Sequence, residues 1–212
     1  MVAIGLCLLM VGAGVVMIVR RPAAMPRFGV VRYLAGSLAA GVVAGMLAAG
    51  AGGRLVMRLL ALTSPDAKGS VTEAGQIVGE ITLDGTVAFI LFTGLAAGLL
   101  SAILCALVRP VLPPGRTAGA VLGGLLLILA GTRIEPLRAD NFDFIIVGPA
   151  WLAVVAFTAL ALFQGMVTVA IAERISAPPA PAPGLLTAGR IAVGAVAVAA
   201  LPGCVSALAE IT

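Results

Sequence analysis

Histidine is absent from this 212-residue chain. That removes imidazole as a general acid or base, as a haem ligand and as a zinc ligand. Lys68 is the sole lysine, and the other basic residues are all arginine. That bias, with the wealth of Ala, Gly, Val, Leu and Pro, is the mark of a GC-rich bacterial genome. Charged residues reach only 10% and aromatics 4%. A soluble globular domain carries roughly a quarter charged residues, so that class is excluded. Intrinsic disorder needs low hydrophobicity and high charge, the reverse of this composition. Nucleic-acid binding needs a basic patch with stacking aromatics, whereas these arginines are scattered, so no nucleic-acid partner is expected. The cysteines Cys7, Cys105 and Cys204 stand far apart, each inside an apolar run. Without CxxC spacing they read as small buried apolar residues rather than metal ligands or a disulfide. No GxSxG, HExxH, P-loop or GxGxxG context occurs. The sequence therefore predicts no enzyme, no cofactor and no metal.

What is abundant is apolar: 61% of residues, with a mean hydropathy of +1.20. A spanning helix needs about 20 apolar residues to cross ~30 Å of hydrocarbon. Six runs approach that length: 2–19, 30–53 with a helical continuation to 62 left open, 85–108, 117–132, 147–172 and 185–209. The fold predicted is a single all-α membrane domain of about six transmembrane helices, the last kinked at Pro202. Its first partner is the lipid bilayer. The first run has no basic residue before it and Arg20-Arg21-Pro22 after it, the wrong polarity for a cleaved signal.

Basic residues set orientation. With both termini outside, the inner segments hold Arg20, Arg21, Arg27, Arg32, Arg109, Arg116, Arg174 and Arg190 against Glu173 alone. The outer segments hold most of the acids. This predicts a bacterial cytoplasmic-membrane protein with N- and C-termini outside. The inner connections are short and proline-rich, the outer ones, 64–85 and 133–146, longer and polar. Segments beginning at Phe92 and Phe157 share Phe-Thr-x-Leu-Ala and place Arg109 and Arg174 at the same distance. A three-hairpin repeat and common membrane composition both account for that match.

Small residues recur at spacing four in Gly41/Gly45, Gly94/Gly98 and Gly119/Gly123. Such spacing lets helix backbones approach closely, within one chain or between copies in a homo-oligomer. Arg54 and Arg58 share one helix face. An arginine at the bilayer centre costs roughly 2.5–3.5 kcal/mol. Counting ~1.5 Å per residue from Tyr33, however, puts Arg54 at the outer interface. Snorkelling, pairing with loop acids, and an anion-facing pair at a cavity mouth are all open there. Ser70-Val71-Thr72-Glu73 fits a capping box, which predicts a short interfacial helix to about Val78. Glu73 and Glu80 on that loop are candidates to pair with the arginines. Asp140-Asn141-Phe142-Asp143 lacks the glycine and distal glutamate of a calcium loop, and reads as a turn capping the fifth helix. At mid-depth the sequence has no acid of the kind that relays protons in pumps. Gln164 is the most polar residue there and a candidate for interhelical contact.

The stretch Gly53-Arg54-Leu-Val-Met-Arg58-Leu-Leu-Ala-Leu-Thr63-Ser64-Pro65, continued in Thr72-Glu73…Val78-Gly79-Glu80-Ile81-Thr82, resembles uncharacterised multi-pass membrane proteins of actinobacteria. Asp140-Asn141-Phe-Asp143-Phe…Gly148-Pro149-x-Trp151 is similar to the same group. The resemblance spans about residues 50 to 175. It implies no activity; it implies that the arginine pair and both outer loops form the group's shared core. Three functional readings stand on the sequence. The first is a structural or accessory subunit with a membrane-protein partner. The second is a channel or carrier for a small anion or polar solute using Arg54 and Arg58. The third is an outer-surface sensor built on the 64–85 loop.

Overall fold

A computed structural model describes residues 2–19, 29–72, 75, 77–80, 82–112, 114–131 and 146–178, with single positions between 187 and 209. Five helices are described throughout: α1 (Val2–Val19), α2 (Val30–Leu62), α3 (Leu83–Val108), α4 (Arg116–Gly131) and α5 (Ala150–Ile175). Four of them, α1, α2, α3 and α5, are long and apolar enough to cross a membrane. α4 reaches only about 24 Å at ~1.5 Å per residue, short of the hydrocarbon thickness. No strand is present among the described residues. The expected sixth helix, 185–209, lies mostly outside them; those of its positions that are described, from Thr187 to Ala209, are helical.

Local chemistry explains the boundaries. Thr82 caps α3, its side-chain oxygen accepting from the Gly85 N–H at 3.2 Å. α5 begins at Ala150 rather than 147, because Gly148 takes φ +81 and Pro149 follows it. A left-handed glycine followed by proline is a poor helix interior and a good helix start. α2 does continue to Leu62, so both Arg54 and Arg58 lie within it. Ser64-Pro65-Asp66 opens a 3₁₀ turn at Pro65–Ala67.

The loop after it corrects the sequence reading. The described residues of 70–80 form no helix. Val71 pairs with Ile77 in an antiparallel bridge, the Val78 N–H donates to Ser70 O at 2.9 Å, and the Gly69 N–H to Val78 O at 3.1 Å. The physical reason lies in residues the capping-box pattern ignores. Gly75 sits at φ +73, a conformation a right-handed helix cannot contain, and Val71 and Ile77 are β-branched and favour extended backbone.

Two helix crossings organise the bundle. At α2–α3, a methyl group on Gly41 would stand 2.5 Å from Gly98 O and Ala102 N, and one on Gly94 would stand 2.9 Å from Met46 Cα. At α4–α5, a methyl on Gly119 would meet Met166 Cα at 2.6 Å and one on Gly123 would meet Leu162 Cα at 2.6 Å. Backbone therefore touches backbone at both crossings, and all three expected glycine pairs serve packing within the chain. With lipid tails as apolar as the side chains, this close van der Waals contact is what joins the helices. A core of Ala40, Ala44, Cys105, Leu122, Val167 and Ala172 ties the two crossings together.

α2 is the central helix. Its middle, Met46–Gly52, is a π-helical turn on which α1, α3 and α5 all converge. Gly50 faces Ile90 of α3, Gly52 faces Leu160 of α5, and Ala51 packs with Cys7 of α1. α1 leaves most of its surface exposed and rests on Phe163 through Gly14. The match between the Phe92 and Phe157 segments does not extend to packing: Phe92 is 77% exposed and Phe157 8%.

Candidate functional site

At one end of the bundle, the end of Leu62 and Leu83, stand Arg54 and Arg58. Both are half-buried. The Arg54 guanidinium lies 5.3 Å from the centre of the Phe89 ring, a cation–π contact across to α3. Its Nη2 faces Gly85 in the first turn of that helix. Arg58 Nη1 donates to Gly79 O at 3.3 Å and so ties the hairpin loop to α2. Among the described residues neither arginine pairs with a carboxylate. Glu80 is exposed, and its neighbour's backbone carbonyl takes the place foreseen for its side chain. Glu73, the other expected partner, lies outside the described residues, as do Asp140–Asp143, where the sequence predicts a capping turn. The arginines are thus brought together with Phe89 and Gly79, while Glu80 is not.

At mid-depth Gln164 is 5% exposed and bridges α5 to α3. Its Nε2 donates to Ala97 O at 3.0 Å and to Ser101 Oγ at 2.5 Å. Ser101 in turn donates to Ala97 O, and Thr168 to Gln164 O. The expected interhelical contact is present, and its partners all lie within the chain. Such bonds between membrane helices average about 0.6 kcal/mol and rarely exceed about 1.7. Gln164→Leu is accordingly expected to leave the protein folded, lowering its unfolding free energy in mixed micelles by less than about 2 kcal/mol; complete loss of folded protein would contradict this account of Gln164.

The opposite end holds a cluster that the sequence did not single out. Three arginines donate to backbone carbonyls near helix ends. Arg109 Nη2 reaches Ser176 O at 2.6 Å, Arg174 Nη2 reaches Met17 O at 2.5 Å, and Arg190 Nε reaches Val111 O at 2.8 Å. The last carbonyls of a helix lack intrahelical partners and carry partial negative charge, so cations suit them. Glu173 does the converse work, accepting from the Gly115 N–H at 2.7 Å just ahead of α4. Arg109 is 5% exposed, and its guanidinium lies 5.8 Å from the Tyr33 ring centre. Tyr33, also buried, donates from its hydroxyl to Ala106 O at 3.0 Å. Arg109 Nη1, Ser176 Oγ and Ser37 Oγ are buried without a hydrogen-bond partner. The Arg-Pro pair at 109–110 marks a helix stop in the sequence. Nothing local marks Ser176 as its partner, 67 residues away.

Cys7 and Cys105 are free and buried; Cys204 lies outside the described residues. Among the described residues no three Cys, Asp or Glu side chains converge where a metal could bind. Comparison with protein-family models, with curated proteins and with solved structures finds no match to this chain.

Proposed function

We propose that this protein is a non-enzymatic integral protein of the bacterial cytoplasmic membrane, a structural or accessory subunit of a membrane assembly, with both termini outside. The observation that carries this reading is the closure of the two main crossings. Where backbone meets backbone at Gly41, Gly94, Gly119 and Gly123, no solute path runs between those helices. The mid-depth polar groups support it too, since Gln164, Ser101 and Thr168 bond to each other and to Ala97. The broad exposed apolar faces of α1 and α3, including Leu9, Phe92, Ile103 and Leu107, suit lipid and leave room for a membrane-protein partner. The test is purification of the tagged protein from its native membrane in mild detergent, followed by mass spectrometry. A stoichiometric membrane-protein partner is expected. A protein that purifies alone, at every detergent concentration that keeps it folded, would remove the accessory reading.

A second reading has one specific observation in its favour: Arg54 and Arg58 are half-buried without a carboxylate partner among the described residues. Paired guanidinium groups suit a small carboxylate or phosphate. In that reading, substituting both arginines by alanine leaves a folded protein that no longer binds or conducts the anion. If they act as a clamp through Phe89 and Gly79, the double variant instead loses thermal stability, by about 1–3 kcal/mol for the two contacts, and has no ligand response to lose.

A further inference from the structure

The unpartnered groups around Arg109 point to a ligand from outside the chain. Arg109 Nη1 and Ser176 Oγ are both buried and unbonded. Both belong to one contact, in which the same guanidinium bonds the same serine's backbone carbonyl through Nη2. Both carry hydrogen to donate, and one carries full positive charge. Both can donate to an oxygen, and the charge of the guanidinium favours an anionic one. An unsatisfied guanidinium N–H away from water is unfavourable, so an acceptor there is strongly stabilising.

The chain has little to offer as that acceptor. No acid precedes Asp66, none lies between Gly85 and Ile134, and Glu173 is the single acid between Phe144 and Ala209. Glu173 is already engaged with the Gly115 N–H. The depth is informative as well. α3 extends about 39 Å from Leu83 to Val108 at ~1.5 Å per residue, enough to cross ~30 Å of hydrocarbon. Its Arg109 end then emerges among the headgroups, where phosphate is the common anion. The exposed Arg32, Arg116 and Arg190 give that end a positive field.

We propose that Arg109 Nη1 and Ser176 Oγ form a binding site for a phosphate oxygen, supplied by a phospholipid headgroup or by free phosphate. The site lies at the opposite end of the bundle from Arg54 and Arg58 and does not depend on the function proposed above. The test follows thermal unfolding of delipidated protein in a maltoside detergent. Phosphatidylglycerol, inorganic phosphate and a phosphate-free monoacylglycerol are titrated separately. Ser176→Ala removes one donor but keeps the backbone carbonyl that Arg109 bonds; Arg109→Gln removes the charge. Stabilisation by phosphatidylglycerol alone identifies the headgroup as the source, and stabilisation by inorganic phosphate as well identifies a free anion. In either case the half-saturating concentration is expected to rise at least tenfold in Ser176→Ala. Equal stabilisation by monoacylglycerol, no response to either phosphate source, or an unchanged titration in Ser176→Ala would each overturn the proposal. Should Arg109→Gln fail to fold, Ser176→Ala decides alone.

Discussion

Gly45→Leu is expected to abolish the folded bundle. A methyl group at Gly45 would already sit 2.5 Å from the Cα and N of Gly98, and closer still to Gly94 O. These are backbone atoms of a continuous helix, which cannot rotate away as a side-chain tip does. Overpacking in cores that can adjust costs typically 1–3 kcal/mol; here α2 and α3 must separate along their whole crossing, so about 3 kcal/mol or more is expected. The measurement is the yield of monodisperse protein in detergent, with unfolding followed by circular dichroism. Two adjacent glycines on α4 are expected to respond in opposite ways. Gly123→Ala puts its methyl 2.6 Å from Leu162 Cα and 2.7 Å from Ala161 O, whereas Gly124→Ala meets nothing within 4 Å. The first is expected to destabilise by about 1–3 kcal/mol. The second is expected to be neutral or to stabilise by about 0.5–1 kcal/mol, through the helix preference of alanine over glycine. Equal effects at the two positions would refute the crossing geometry.

Arg174→Ala is expected to release α1 from the bundle. α1 is the least buried of the four long helices. It is held by Gly14 against Phe163, by Cys7 beside Ala51 and Ile90, and by the bond from Arg174 Nη2 to Met17 O. A hydrogen bond from a charged group is worth about 1.5–3 kcal/mol, so its loss shifts the docked-to-undocked ratio of α1 roughly ten- to hundredfold. Cys7, 1% exposed in the docked state, reports the change. In a Cys204→Ser background, a membrane-permeant maleimide should label Cys7 slowly in the parent and at least tenfold faster in Arg174→Ala. Cys105, buried against other helices at the core of the bundle, is the internal control and should stay unlabelled. An unchanged Cys7 rate would show that Arg174 does not hold α1.

The two expectations draw on different physics, and that difference explains what was legible in advance. The spacing of Gly41/Gly45, Gly94/Gly98 and Gly119/Gly123 is a local pattern, so close helix contact can be read from it directly. Which glycine faces which helix cannot. Gly165, which meets Gly123 and Gly119 across the α4–α5 crossing, has Ala161 rather than a glycine at spacing four, a weaker form of the same pattern. The arginines divide in the same way. Arg54 and Arg58 stand out because two charges interrupt an apolar run. Among the described residues their partners are a ring and a backbone carbonyl, groups every segment offers, and Glu80 is not one of them.

The loop at 70–80 shows a pattern overruled by its context. Ser70 to Glu73 spells a helix start, but the left-handed Gly75 and the bridge from Val71 to Ile77 close the segment on itself. A capping box stabilises a helix only if the following residues can propagate it, and two residues further on this chain cannot.

What the sequence by itself determined is the kind of molecule: helical and apolar, with charges at segment ends and small residues where helices meet; it pointed to six spanning segments, and the structure gives four helices long and apolar enough to cross a membrane among the described residues. Those properties follow from composition and periodicity, which act over a turn or two of helix. Only the tertiary structure decided which helices touch and where the polar groups of distant segments meet. It joined Gln164 to Ser101, Arg174 to Met17 and Arg109 to Ser176, and it left Arg109 Nη1 and Ser176 Oγ buried without a partner. The reason is that a buried donor must find an acceptor somewhere in space, and nothing obliges that acceptor to lie nearby in the chain.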